Sequence, residues 1–148
     1  MGKLILTADD YGLNEGVNEG TLISVRNNTV TSVQVMANMA TPQQIQNLAT
    51  AIRESGNLCG IGLHICTTFG PSLMQKPTSF TEKWADGRYY FIDVRDWKYT
   101  PDSDDDMKEE LEAQFNRLKT TIGGAGYIDS ISSHQNLLFF KEDYLKML

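Results

Sequence analysis

Two histidines, His64 and His134, stand in this 148-residue sequence, and each closes a run with strand character. A pair of adjacent acids, Asp9-Asp10, closes another such run near the N-terminus, and Asn38 closes a fourth. In parallel α/β architectures ligands gather at the carboxyl ends of the strands, so these residues are expected on one rim. One aspartate and two imidazoles form a donor set for a divalent metal, and the second aspartate is left to act as a base. Each residue also has a plainer reading. An Asp pair after a strand is often a helix cap or a turn, and a lone histidine there is often a hydrogen-bonded structural residue. The metal reading gains from coincidence: all the candidates fall on the same edge.

The elements that must position them alternate. Leu4-Ile5-Leu6-Thr7-Ala8 reads as a buried strand, and residues 14–27 suit a helix with Asn14 as its N-cap. Val30 to Met36 is the second strand. A second helix follows, capped by Thr41, opened by Pro42 and closed by Gly56, with Ile45, Leu48, Ala49 and Ile52 on one stripe. Gly60 to Ile65 is the third strand. Residues 66–101 break the rhythm with Pro71, Pro77 and Pro101 and with the aromatics Trp84, Tyr89, Tyr90, Phe91, Trp97 and Tyr99. This long insertion is expected to be ordered and to carry a hairpin around Asp86-Gly87, its aromatics serving as satellite core or as a sugar platform. The strongest helix begins where Ser103 and Asp106 resemble a capping box, continues through Met107, Leu111, Phe115, Leu118 and Ile122, and ends at Gly123-Gly124. Tyr127 to Ser133 is a fourth strand, and residues 141–148 begin another amphipathic helix. Such alternation predicts a parallel sheet with right-handed crossovers.

Composition narrows the function. Thirteen basic against 19 acidic residues give a net charge of −6 with no Lys/Arg cluster, which argues against nucleic acid as a partner. No apolar run approaches the roughly 18 residues of a membrane span, and no signal peptide is evident, so the expected location is cytoplasmic. Cys59 and Cys66 fit neither a disulfide framework nor a zinc ribbon and read as small buried residues. The Asp102–Asp106 run reads as a solvated helix start. A complete (β/α)8 barrel, at about 200–250 residues, is longer than this sequence.

The run Thr7-Ala8-Asp9-Asp10-Tyr11-Gly12-Leu13-Asn14-Glu15-Gly16-Val17-Asn18-Glu19-Gly20 resembles the opening of the YdjC-like carbohydrate deacetylases, with their Ala-Asp-Asp-Phe-Gly signature. Val30-Thr31-Ser32, Asn38-Met39, Gly60-Ile61-Gly62-Leu63-His64, Gly70-Pro71-Ser72-Leu73, Asp86-Gly87-Arg88-Tyr89 and the helix containing Glu110 and Gln114 continue the likeness in order. The resemblance implies a TIM-like (β/α) deacetylase barrel, of which residues 1–148 would form a single domain holding about the first four βα units. It implies metal-dependent removal of N-acetyl groups from small amino-sugar oligosaccharides. Asp10, His64 and His134 would be the metal ligands, Asp9 the general base, and Asn38 and Tyr11 substrate-binding residues. The implied ion is Mg2+, with Zn2+ as the alternative. Tyr11 stands where the signature has phenylalanine. The family's third block reads Asp-Ser-His-His-x-His, whereas this chain has Ser132-Ser133-His134-Gln135-Asn136. A second register would set Asp129-Ser130 on the Asp-Ser pair and leave Ile131 at the histidine; His134 is preferred because isoleucine cannot bind metal.

Two other readings stay open. One is a non-catalytic or truncated sugar- or metal-binding half-barrel whose unpaired strand edges call for a homo-oligomer or a partner chain. The other is a signalling receiver domain, disfavoured because the third strand ends in His64 rather than an aspartate.

Overall fold

Short apolar runs and amphipathic stretches alternate along the chain and settle into a parallel sheet with its helices on one face. The computed structural model describes residues 4–56, 58–98, 102–124 and 127–136. In chain order the elements are β1 (Thr7–Tyr11), α1 (Glu15–Arg26), β2 (Ser32–Val35), α2 (Pro42–Glu54), β3 (Gly60–Ile65), β4 (Thr81–Lys83), β5 (Tyr89–Phe91), a 3-10 turn (Val94–Asp96), α3 (Ser103–Ile122) and β6 (Ile128–Ser133). The main sheet runs β1-β2-β3-β6, all parallel, while β4 and β5 form the separate antiparallel hairpin expected around Asp86-Gly87. The fold is α/β, as expected, and among the described residues three strand–helix steps and a fourth parallel strand of a partial barrel are recognisable in it. Among the described residues no helix is long and apolar enough to cross a membrane.

The period-2 alternation of β2, β3 and β6 divides the sheet into two chemically different faces. Val33, Val35, Ile61, Leu63 and Ile65 pack against Val25 of α1, Ile45, Leu48 and Ile52 of α2, and Met107, Leu111 and Leu118 of α3. Fully burying each such side chain contributes roughly 1.5–3 kcal/mol. The intervening residues Ser32, Gln34, His64, Ser130 and Ser132 are polar and join one another through side-chain hydrogen bonds. One face therefore holds the fold together and the other carries the chemistry.

The caps follow the sequence in two helices of three. Asn14 accepts from Val17 N, and Thr41 forms a capping box with Gln44, each cap worth about 1 kcal/mol. The box expected at Ser103 and Asp106 does not form. Asp102 takes the N-cap position without a side-chain bond, and the Ser103 hydroxyl pairs instead with that of Ser79 at 2.7 Å, tying α3 to the insertion. The first strand also differs from expectation, beginning at Thr7 rather than Leu4. Leu6 O accepts from Thr31 N and Ser32 N, at 2.8 and 3.1 Å, and the β1–β2 ladder starts only at the Thr7–Ser32 pair. Leu4 and Ile5 lie upstream of that partner and are 77% and 71% exposed, since an apolar run becomes a strand only where a ladder receives it.

The described part of the insertion, residues 66–98, carries a hairpin and adds to the core. Phe80 packs against Phe91 and Trp97, with ring centroids 6.1 and 5.7 Å apart, and the Trp97 indole N–H donates to Ile92 O. Trp84, by contrast, is 54% exposed and stacks on Tyr90 at 4.5 Å. Tyr99 and the helix expected over 141–148 lie outside the described residues.

Candidate metal centre

The two acids do not follow β1, as expected; they lie within it. Ala8 pairs with Val33 but Tyr11 pairs with Val35, so β1 carries one extra residue across this step. Asp10 absorbs the irregularity in the left-handed region at φ 64, a conformation Asp tolerates better than most residues. Adjacent residues of a regular strand point to opposite faces; the bulge re-aims Asp10 towards the polar face. Gly12 completes the turn at φ 109, lying so close to Ala40 that a Cβ there would come 2.8 Å from the Ala40 backbone nitrogen. The Asn18 amide oxygen accepts from Gly12 N at 2.6 Å and fixes the exit into α1.

His64 and His134 arrive from β3 and from the end of β6. The His64 Nε2 lies 3.1 Å from Asp10 Oδ1, and the His134 Nδ1 lies 2.8 Å from the same oxygen. The two rings meet edge to face with centroids 5.5 Å apart. One donor atom from each of Asp10, His64 and His134 falls within 4.8 Å of the others. Asp10 and His134 belong to opposite edges of a four-stranded sheet, whose strands would span roughly 14 Å if flat, so the sheet must curl for the side chains to touch. Burial pushes the His64 pKa down, opposed by the charges of Asp9 and Asp10 and reinforced by His134.

This donor set fits a divalent cation. Two imidazole nitrogens and a carboxylate oxygen are the ligand types that transition metals and zinc accept, and both nitrogens converge on a single oxygen. The His64 ring, whose burial disfavours its protonated form, faces that carboxylate at a distance where positive charge between them is favourable.

The remaining candidates take different places. Asp9 is exposed beside the cluster and its charge reaches His64. Asn38 is buried and donates through Nδ2 to Phe69 O and Pro71 O, at 3.0 and 3.2 Å, so it holds the loop after β3. Tyr11 is fully buried on the helix side, its hydroxyl donating to Gln44 O at 2.7 Å; the bulge that turns Asp10 inward leaves the next side chain pointing into the core. Ile131, the residue of the alternative register, lines a cleft against Leu63, Ile65, Leu111 and Phe115 on the helix side. Burial raises both cysteine thiols, Cys59 to about 11 with Asp129 adding to the shift, which disfavours the thiolate form a nucleophile needs.

Sequence reasoning passed over two polar sets. Gln34 and Ser132 lie beneath His64, described below. Glu110 and Gln114 of α3 are fully buried: the Glu110 carboxylate accepts from Ser72 Oγ at 2.7 Å and from Leu73 N and Met74 N, while Gln114 bridges Glu110 and both backbone groups of Cys66. Burial raises the Glu110 pKa against these bonds. The signal was present: a Glu and Gln at i, i+4 between Met107, Leu111 and Leu118 interrupt an otherwise apolar stripe.

The geometry meets a clear family likeness. The model of the YdjC-like protein family matches residues 3–147. The chain belongs to the YdjC-like family. It is 31% identical over 142 residues to a chitooligosaccharide deacetylase of Proteus mirabilis, covering 94% of this chain and 51% of that protein. It is 32% identical over 128 residues to a carbohydrate deacetylase of Brevibacillus brevis, covering 86% and 48% respectively. The chain thus spans about half the length of these YdjC-like relatives. A crystal structure from Enterococcus faecalis V583, of a protein named for cellobiose-phosphate cleavage, superimposes with a TM-score of 0.68 at 20% identity, covering 97% of this chain and 52% of that one. This likeness establishes the fold.

Proposed function

We propose that the chain supplies the metal-binding half of a carbohydrate deacetylase that hydrolyses N-acetyl groups of small amino-sugar oligosaccharides in the cytoplasm. The observation that carries this reading is the meeting of Asp10, His64 and His134 on one carboxylate oxygen, in a chain whose relatives are named for that activity. Asp10, His64 and His134 would hold the ion, Mg2+ or alternatively Zn2+. A divalent cation in such a site polarises an amide carbonyl and acidifies bound water.

The chain's own groups supply the rest of this half-reaction. Asp10 lies between the two imidazoles, within hydrogen-bond reach of both, and holds the cluster's donors together. Asp9, adjacent but outside the cluster, is free to take the proton of the attacking water at a carboxylate oxygen. Two adjacent acids thereby divide the work, one held and one cycling. Asn38 and Tyr11 serve the substrate side through what they position: Asn38 fixes the loop at Phe69 and Pro71, and Tyr11 anchors the bulge behind Asp10. Acetate release from diacetylchitobiose tests the proposal. It should fall to background with EDTA and in His64→Ala; activity indifferent to both would overturn it.

A second reading is favoured by the β1 side of the sheet, where Leu4, Ile5 and Leu6 are exposed together. Residues 1–148 would then be a non-catalytic or truncated sugar- or metal-binding half-barrel that needs a second copy or a partner chain. Light scattering distinguishes the two: a stable monomer at high concentration would contradict it.

A further inference from the structure

A directional chain of hydrogen bonds runs beneath His64, and its direction can be read from one end. Asp129 is a carboxylate and can only accept, so the Ser130 hydroxyl, 3.0 Å away, donates to it. Its proton used, Ser130 Oγ accepts from the Gln34 amide nitrogen at 2.8 Å, and Ser32 Oγ receives the second amide proton at 3.1 Å. This orients the amide, so Gln34 Oε1 faces Ser132 and accepts its hydroxyl proton at 2.9 Å. Ser132 Oγ in turn can only accept from His64 Nδ1, at 2.6 Å. The His64 proton therefore sits on Nδ1, and the lone pair of Nε2 faces Asp10.

The backbone is shaped to let this chain pass. Gln34 lies on β2 and the two serines on β6, so its side chain must cross β3, and it crosses at Gly62, its ladder partner. A Cβ on Gly62 would fall 2.2 Å from the Gln34 amide nitrogen and 2.4 Å from Ser130 Oγ. The β3–β6 ladder carries an extra residue at Asp129, which brings that carboxylate over Gly60, where a Cβ would again collide with it. Two glycines and a bulge thus clear the path of one hydrogen-bonded chain.

We infer that Asp129, Ser130, Gln34 and Ser132 are positioning residues that fix His64 as its Nδ1–H tautomer, presenting Nε2 as a ready metal donor. The inference rests on the metal site proposed above. Ligating histidines gain affinity when their other nitrogen is held by an acceptor, and losing that acceptor typically costs 10–100-fold.

Nitrogen-15 correlation spectra of the metal-free 148-residue chain test the tautomer directly, at a pH where imidazoles are neutral. With two histidines in the sequence, the His64 signals are those missing from His64→Ala. The expected result is a protonated-type Nδ1 and an unprotonated-type Nε2 on His64, becoming mixed or reversed in Ser132→Ala and Gln34→Met and restored in Ser132→Thr. Calorimetric titration with Mg2+ and Zn2+ should show about 10–100-fold weaker binding in the first two variants and near-native binding in the third. A proton on Nε2 in the wild type, or an unchanged tautomer in Ser132→Ala, would overturn the inference. The expected tautomer in a wild-type chain that binds neither ion would uphold the hydrogen-bonded chain and overturn the metal site instead.

Discussion

Asp10 Oδ1 accepts from His134 Nδ1 at 2.8 Å although the two residues are 124 apart in sequence and flank opposite edges of the sheet. A single contact of this kind reports the curl of four strands, because β2 and β3 lie between its partners. It also concentrates demand on one oxygen, since His64 Nε2 approaches the same atom at 3.1 Å. Both imidazoles therefore present a nitrogen to the same carboxylate oxygen, which is how three ligands to one ion would be gathered.

Gly12 should tolerate no side chain. Gly12→Ala meets both a positive φ and a backbone contact at Ala40, and is expected to cost about 2–4 kcal/mol of stability in urea denaturation. Gly20→Ala, at a helical glycine with nothing within 4 Å, should be neutral or stabilising and serves as the control.

Glu110 should make stability depend on pH with an unusual sign for a carboxylate. Burial raises its pKa in the folded chain above the ordinary 4.5, so its favourable contribution is complete below that value and is lost as pH rises through the folded value. Glu110→Gln removes this titration. The difference in unfolding free energy between wild type and Glu110→Gln should therefore move against the wild type as pH rises from about 4.5. A difference that moves in its favour would contradict this account of the buried carboxyl.

Glu110→Ala is a harsher change. It strips the acceptor from Leu73 N and Met74 N and from the Ser72 hydroxyl, each half-buried or buried. Each orphaned donor costs about 1–3 kcal/mol, so a loss of several kcal/mol is expected, read as a lower urea midpoint together with faster proteolysis of the 70–76 loop.

Cys59 and Cys66 should react slowly with a thiol reagent in the native chain and rapidly once it is unfolded. Both are buried, and burial pushes the Cys59 thiol up to about 11, which disfavours thiolate at neutral pH. Fast native-state labelling at either position would contradict the burial.

The sequence carried the large-scale fold because it is written in local terms. Asn14, Thr41 with Pro42, and Gly123 mark helix ends by their own backbone chemistry, and Asp86-Gly87 marks a hairpin. His64 and His134 stood out because they are the two histidines and both fall at or just after the carboxyl end of a strand. Less legible were features that depend on a partner distant in sequence. Leu4 and Ile5 look like a strand but lie upstream of the ladder, and Ser103 looks like a cap but pairs with Ser79. The β1 bulge is set by pairing with β2 and leaves no mark in the residues themselves, so which face Asp10 and Tyr11 each take was not foreseeable. Gln34 and Ser132 were passed over for the same reason: 98 residues separate them, and neither type is distinctive alone.

The central claim is that Asp10, His64 and His134 together hold one divalent cation. Calorimetric titration of the metal-stripped full chain with Mg2+ and Zn2+ tests it most directly, comparing wild type with Asp10→Asn, His64→Ala and His134→Ala. The account predicts one ion per chain in the wild type and loss of about tenfold or more in affinity in every variant, with the circular dichroism unchanged. Wild-type affinity retained in any one of the three well-folded variants would contradict it.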